Sequence, residues 1–374
     1  MTSILISAGD YSADIHGESL VKEMREIDPS LSVTALGGVR LKSVANEFLR
    51  DMVEMDVSGF SQPFKQFFSL KSILQNMIFP RLESRQVEAV ILIDYYGFNI
   101  HVAEKAWKEK IPVFYFVSPQ VWASRRWRIQ RLKKFVTKML VIFPFEEQLY
   151  KENGVQVEFV GHPIMDTIAG LKEGEPDQRP EGAIHLGLMP GSRQRELDRH
   201  LPLMIKSFEI LKKKFPSMEA SLFAVDSIGD EAYRPFIGSG PIALVREKGY
   251  QKRLGLTLCL AASGTATLEN ALLGIPMVVI YQASWLTYLI AWLLIQIPYV
   301  SMPNILSGKE TVPELIQHRA APERIAGSIE RLLSEPGSLE KMRAELIQLR
   351  EKLGKPGAYS RAAKIILEAI PNSA

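Results

Sequence analysis

The chain has 374 residues, 47% hydrophobic and 23% charged, which excludes a disordered or fibrous protein. A single core does not serve that length well, so two domains are expected. The formal net charge of +3 is too mild for a nucleic-acid partner, and the lone Cys259 leaves neither an internal disulfide nor a thiolate metal cluster, as suits a reducing cytoplasm.

Short apolar runs alternate with amphipathic ones. The N-terminal run lacks a basic n-region and meets Gly9-Asp10 at once, so it reads as a strand rather than a secretory signal. Strands are expected at 3–7, 32–36, 89–93, 113–117, 139–142 and 157–160, with helices between them, for example over 16–27 and 99–108. A charged, Pro- and Gly-rich linker follows at 171–182. A second set of strands is expected at 183–189, 221–225, 242–245, 256–261 and 277–281, with helices over 201–214 and 265–273. The βαβα order predicts an α/β fold of two Rossmann-like domains, each a parallel doubly wound sheet, facing an interdomain cleft. The boundaries are 1–170, 183–345, and 346–374 for C-terminal helices that return to the first domain.

Residues 270–308 carry no charge. Gly274, Pro276, Pro298 and Pro303 divide this stretch, leaving a strand and an apolar helix of about 13 residues within 282–298, short for a membrane span. Trp285, Tyr288 and Trp292 recur at i, i+3 and i+7, so a core helix, an interfacial helix and an inserted one all remain open.

Four loops follow strands at the ends where such sheets bind ligands. The first crowds Asp10, Ser12, Asp14 and His16 before a helix, where Ser12 or Asp14 as a plain N-cap is the alternative. The second places Asp94 at a strand's carboxyl end, a suitable position for a general base. The third, Pro190-Gly191-Ser192-Arg193, offers backbone amides and a guanidinium to a diphosphate without metal. The fourth, Ser263-Gly264-Thr265, opens a helix, and Glu269 one turn later suits ribose hydroxyls. Between them, Gln120 and Trp122 precede Arg125, Arg126, Trp127 and Arg128. Seven basic residues and no acid lie between 125 and 138, a face for an anionic membrane more than for nucleic acid. No metal-binding or Walker-type motif occurs, so neither metal nor cofactor is expected.

At these residues the sequence resembles the lipid-A-disaccharide synthases, glycosyltransferase family 19 of the GT-B type. The resemblance rests on Ala8-Gly9…Asp14-Ile15-His16-Gly17, Ile93-Asp94…Phe98-Asn99, Ser118-Pro119-Gln120-Val121-Trp122, Phe143-Pro144-Phe145-Glu146 and Phe159-Val160-Gly161-His162-Pro163. It continues with Pro190-Gly191-Ser192-Arg193…Glu196, Ser263-Gly264-Thr265…Glu269 and Pro303-Asn304…Val312-Pro313-Glu314-Leu315-Ile316-Gln317, covering nearly the whole chain in order. It departs from the family's usual residues at Asp10 (commonly Glu), Ala13 (Gly), Ser124 (Trp) and Gly97 (Asp in some members).

The resemblance implies an inverting condensation of UDP-2,3-diacylglucosamine with 2,3-diacylglucosamine 1-phosphate, forming a β-1,6 disaccharide 1-phosphate and UDP. The first domain would bind acceptor and lipid, and the second the UDP-sugar. Asp94, Asp14 or His16 would be the base. Gly191, Ser192, Arg193, Ser263, Gly264, Thr265, Glu269, Asn304, Glu314 and Gln317 would hold the donor. Ser12, Gln120, Trp122, Arg125, Arg126, Trp127 and Arg128 would face the acceptor and the membrane. The protein would be cytoplasmic and peripheral to the inner membrane, with a homodimer left open. Another UDP-sugar transferase or epimerase, or a catalytically silent membrane-associated nucleotide binder, are the competing readings.

Overall fold

A computed structural model describes residues 2–54, 63–171, 183–226, 228–237, 241–247, 249–285, 288–289 and 297–370. The chain divides into two compact units, one of Met1–Asp166 with Leu353–Ala374, the other of Thr167–Lys352.

The first unit is built on seven parallel strands among the described residues: β1 (Ser3–Ala8), β2 (Ser32–Gly37), β3 (Glu47–Asp51), β4 (Ala89–Ile93), β5 (Val113–Phe116), β6 (Lys138–Val141) and β7 (Val157–Phe159). Their order is β3-β2-β1-β4-β5-β6-β7. Helices cover both faces, so the central strands are apolar along their whole length; Ala-Val-Ile-Leu-Ile of β4 is entirely buried. Alternate side chains feed two cores, with Leu5, Val90 and Tyr115 on one face and Ile4, Ile91 and Phe114 on the other. The helix Ala358–Ala369 packs on the helix Tyr11–Ile27 within this unit.

The second unit has six parallel strands among the described residues: β8 (His185–Met189), β9 (Glu219–Phe223), β10 (Ile242–Val245), β11 (Leu258–Ala262), β12 (Met277–Tyr281) and β13 (Glu314–Ile316). Their order is β10-β9-β8-β11-β12-β13. Each sheet reverses direction of winding once, between β1 and β4 in the first and between β8 and β11 in the second. Ligands of open parallel sheets bind outside the carboxyl ends at such points. The four loops singled out by sequence follow these four strands.

Some elements differ from expectation. The helix expected from residue 16 begins at Tyr11, because Asp10 caps it: Oδ1 accepts from the Ala13 amide at 2.8 Å, so neither Ser12 nor Asp14 is the cap. The mixed, half-exposed β3 and the three-residue β13 have no counterpart among the expected strands. Most of the linker at 171–182 and much of the apolar segment at 282–298, including Trp292, lie outside the described residues. Of that segment's aromatic residues, Trp285 and Tyr288 are exposed. No helix of the described residues is long and apolar enough to cross a membrane.

Candidate active site

At the winding switch of the first unit, β4 ends in two successive non-glycine residues with left-handed backbone, Asp94 (φ 43°) and Tyr95 (φ 48°). Val117, just past β5, is also left-handed (φ 58°), and its carbonyl accepts from the Asp94 amide at 3.1 Å. Such conformations each cost of the order of 1 kcal/mol or more and persist only when the surroundings enforce them. Buried Asn99 does so, donating from Nδ2 to the carbonyls of Ile93 (3.1 Å) and Asp94 (2.9 Å). Its Oδ1 accepts from Ser7 Oγ at 2.7 Å, and the Tyr115 hydroxyl donates to the Asp94 carbonyl as well. The Tyr95 ring lies against the Gly9 backbone, where any Cβ would collide with it. Ser7 and Tyr115, which secure this turn, lie outside the sequence-level site; only the folded sheet brings them to Asp94.

The Asp94 carboxyl is half-buried. Burial, and then the negative charge of Asp10, push its pKa up to about 6. His16 is pushed the other way, down to about 4, by burial acting against the pull of Asp10, and its Nδ1 lies 2.8 Å from the Tyr359 hydroxyl. A base is most effective when its pKa approaches the operating pH, which favours Asp94 over His16.

Asp14 has a different occupation. Buried, it accepts from the amides of Gly38 (2.7 Å), Leu41 (3.0 Å) and Arg40 (3.1 Å), capping the helix Val39–Val44. Three backbone donors on one carboxylate remove it from the candidate bases, a correction to the sequence reading. Ser12 is exposed beside it.

Trp122 also departs from expectation. It is 7% exposed and packs edge-on against Phe145, so it is a core side chain and presents no membrane face. Gln120, Arg125 and Arg126 are exposed, and Trp127 is 64% exposed. Arg128 is half-buried, with its guanidinium 4.3 Å from the Tyr96 ring centre.

In the second unit, Gly191 has φ 120°, and a Cβ there would strike the Glu196 carboxylate. Glu196 accepts from the Ser192 amide at 2.9 Å and pairs with Arg193 at 3.5 Å, while the Arg193 side chain stays 71% exposed. Buried His200 anchors the turn from behind. Its Nδ1 donates to the Pro190 carbonyl (2.8 Å) and its Nε2 accepts from the Gln282 amide (3.0 Å), which requires the neutral ring. Across the switch, Ser263 Oγ donates to the Val300 carbonyl at 2.7 Å. The helix Thr265–Leu272 starts at Gly264 with no side-chain cap, and Thr265 is exposed. Glu269 accepts from Arg253 Nη1 at 2.7 Å; Arg253 also pairs with Glu247 and lies 5.0 Å from the Tyr250 ring centre. Tyr250, Arg253 and Glu247 escape a motif search, since their signal is only the loop position after β10.

Two expected donor contacts are spent internally, and a third is half spent. Asn304 donates to the Val312 carbonyl (2.9 Å) and Glu314 (2.8 Å), and its Oδ1 accepts from the amides of Thr311 (2.7 Å) and Val312 (2.9 Å). Glu314 also accepts from the Val300 and Ser301 amides and the Ser301 hydroxyl. Gln317 exchanges hydrogen bonds with the Ala283 backbone. Asn304 and Glu314 fix the loop that holds Ser263 and have their side-chain capacity filled, which corrects their reading as binding residues; Gln317 keeps one N–H and one lone pair beyond its bonds to Ala283.

Among solved structures, the UDP-GlcNAc 2-epimerase of Neisseria meningitidis bound to UDP-GlcNAc is similar, with a TM-score of 0.64, 15% identity, and coverage of 98% of this chain and 99% of that one. MurG of Acinetobacter baumannii is similar too, with a TM-score of 0.59, 13% identity, and coverage of 98% and 100%. The two doubly wound sheets thus define the GT-B class, which transferases share with UDP-sugar epimerases. A family model described as lipid-A-disaccharide synthetase matches residues 4–369. The lipid-A-disaccharide synthases of Syntrophus aciditrophicus and Geobacter metallireducens are each 37% identical, over 99% and 98% of this chain and 98% and 97% of their own. The chain belongs to the lipid-A-disaccharide synthetase family, and as a member it is a UDP-sugar glycosyltransferase that builds the lipid A disaccharide. This favours the transferase over the epimerase and the silent binder.

Proposed function

We propose that the chain transfers 2,3-diacylglucosamine from UDP to the 6-hydroxyl of 2,3-diacylglucosamine 1-phosphate with inversion. Asp94 takes the hydroxyl proton as the oxygen attacks the anomeric carbon; the bond to the diphosphate breaks and UDP leaves. The observation that carries this reading is a half-buried carboxylate raised to about 6 and held by strained backbone at a winding switch point. Gly191, Ser192 and Arg193, with Ser263, Gly264 and Thr265 at the start of a helix, receive the developing diphosphate charge. Glu269, steadied by Arg253, takes the ribose hydroxyls. Exposed Arg126 and Trp127 rest on an anionic inner-membrane surface, where both lipids reside.

The test is UDP release from the two lipids by wild type and Asp94→Asn. Asparagine tolerates the left-handed backbone, so the exchange isolates the loss of basicity. Expected is a fall of about 10²–10⁴ in kcat/KM with circular dichroism and UDP affinity unchanged. The ionised carboxylate is the active form, so wild-type activity rises with pH through about 6. A variant retaining full activity would transfer the role to His16.

A further inference from the structure

In the first unit, the Tyr96 hydroxyl and the Arg128 Nε are buried and donate to no acceptor among the described residues, while Arg131 reaches the Tyr96 oxygen as a donor. Tyr96 is only 7% exposed, and the Arg128 guanidinium covers its ring at 4.3 Å. Leaving such a donor unfilled costs about 1–3 kcal/mol, more when it is charged. Arg125, in left-handed backbone (φ 56°), folds the turn back so that its carbonyl accepts from the Arg128 amide at 3.0 Å. Its charge stands close enough to hold the Arg128 pKa below the ordinary value, after the larger effect of burial. Among the described residues, Arg125, Arg126 and Arg128 form no ion pair, whereas the next arginine, Arg131, pairs with Glu104 at 2.9 Å.

Clustered guanidiniums without a counter-anion, one of them stacked on a phenol whose O–H has no acceptor, match an oxyanion that accepts from both. The place is specific. Tyr96 follows Asp94 by two residues, and Tyr115 donates to the Asp94 carbonyl while lying within electrostatic reach of Arg128. The acceptor carries its attacking hydroxyl and its phosphate at opposite ends of one sugar ring. We propose that Arg128, with the Tyr96 hydroxyl and the Arg125 guanidinium, forms the subsite for the acceptor's 1-phosphate. This deepens the reaction proposed above and rests on it. Arg128 is a specificity residue: it sets the acceptor's position relative to Asp94 and moves no proton.

Two acceptors decide the matter, 2,3-diacylglucosamine 1-phosphate and the same lipid with a free 1-hydroxyl, each in neutral detergent micelles. For Arg128→Ala, kcat/KM on the phosphorylated acceptor is expected to fall about 10- to 100-fold, mostly through KM. Activity on the free 1-hydroxyl acceptor and the KM for the UDP-sugar stay at wild-type values, which also certifies the fold. Arg128→Lys keeps the charge without the planar fork and recovers part of the loss; Tyr96→Phe loses about 3- to 10-fold on the phosphorylated acceptor alone. Equal losses on both acceptors, or none, overturn the subsite. A second arm measures binding to phosphatidylglycerol and phosphatidylcholine vesicles, which Arg128→Ala leaves unchanged. If the variant instead leaves phosphatidylglycerol vesicles while keeping the preference for the phosphorylated acceptor, the arginine reads membrane headgroups and the proposal falls. Wild type inactive on both acceptors overturns the reaction reading itself, and the subsite with it.

Discussion

Asp94 meets opposed demands. Its charge is what the proposed role as base requires, and burial beside Asp10 is what penalises that charge. Its folded pKa of about 6 stands above the ordinary 3.8, so the folded state binds this proton more tightly than the unfolded chain. The resulting stability is complete below about 3.8 and is lost as pH rises through about 6. Asp94→Asn is therefore expected to raise stability by about 1–2 kcal/mol at pH 7.5 and to change little at pH 4. Urea melts at both pH values check this, and equal shifts at the two would show that the charge costs nothing. The place of Asp94 at the end of β4 was legible in the sequence because a strand end followed by a helix is recognisable. The occupation of Asp14 was not, since its partners lie 24 to 27 residues away on another helix. A carboxylate's role depends on which donors the fold brings to it.

Elements were legible in proportion to how uniformly they are buried. β4, apolar on both faces, announces itself. β3, with its exposed Glu47 and Arg50, has no single period, and β13 begins with a glutamate that only its four donors make tolerable in a buried site. The resemblance casts that glutamate and Asn304 as contacts of the UDP-sugar; the loop consumes them itself. The distinction is measurable. Asn304→Ala strands the Val312 amide, one carbonyl and part of Glu314, and leaves the Thr311 amide only its bond to the Lys309 carbonyl, so a loss of about 3 kcal/mol is expected, read as a lower urea midpoint at unchanged slope. A substrate contact would give the reverse, with stability intact and the KM for the UDP-sugar raised.

At the scale of the molecule, each unit carries its own core, and the chain passes from the first to the second at Asp166–Thr167 and back at Lys352–Leu353. Length alone argued for two domains. The return of the C-terminal helix rests on its packing against Tyr11–Ile27, a pairing that no local pattern encodes. The lone cysteine makes the second unit separately observable. Cys259 lies in β11, fully buried, with its thiol pushed up to about 12 by that burial. A disulfide reagent such as dithiobisnitrobenzoate reaches it only when the unit opens. If the turns after β8 and β11 hold UDP, opening must release the nucleotide. UDP at a hundred times its Kd then adds about 2.7 kcal/mol to that opening and slows labelling about 100-fold. Diacylglucosamine 1-phosphate, assigned to the first unit, leaves the labelling rate unchanged. Protection by the acceptor but not by UDP would exchange the assignments of the two units.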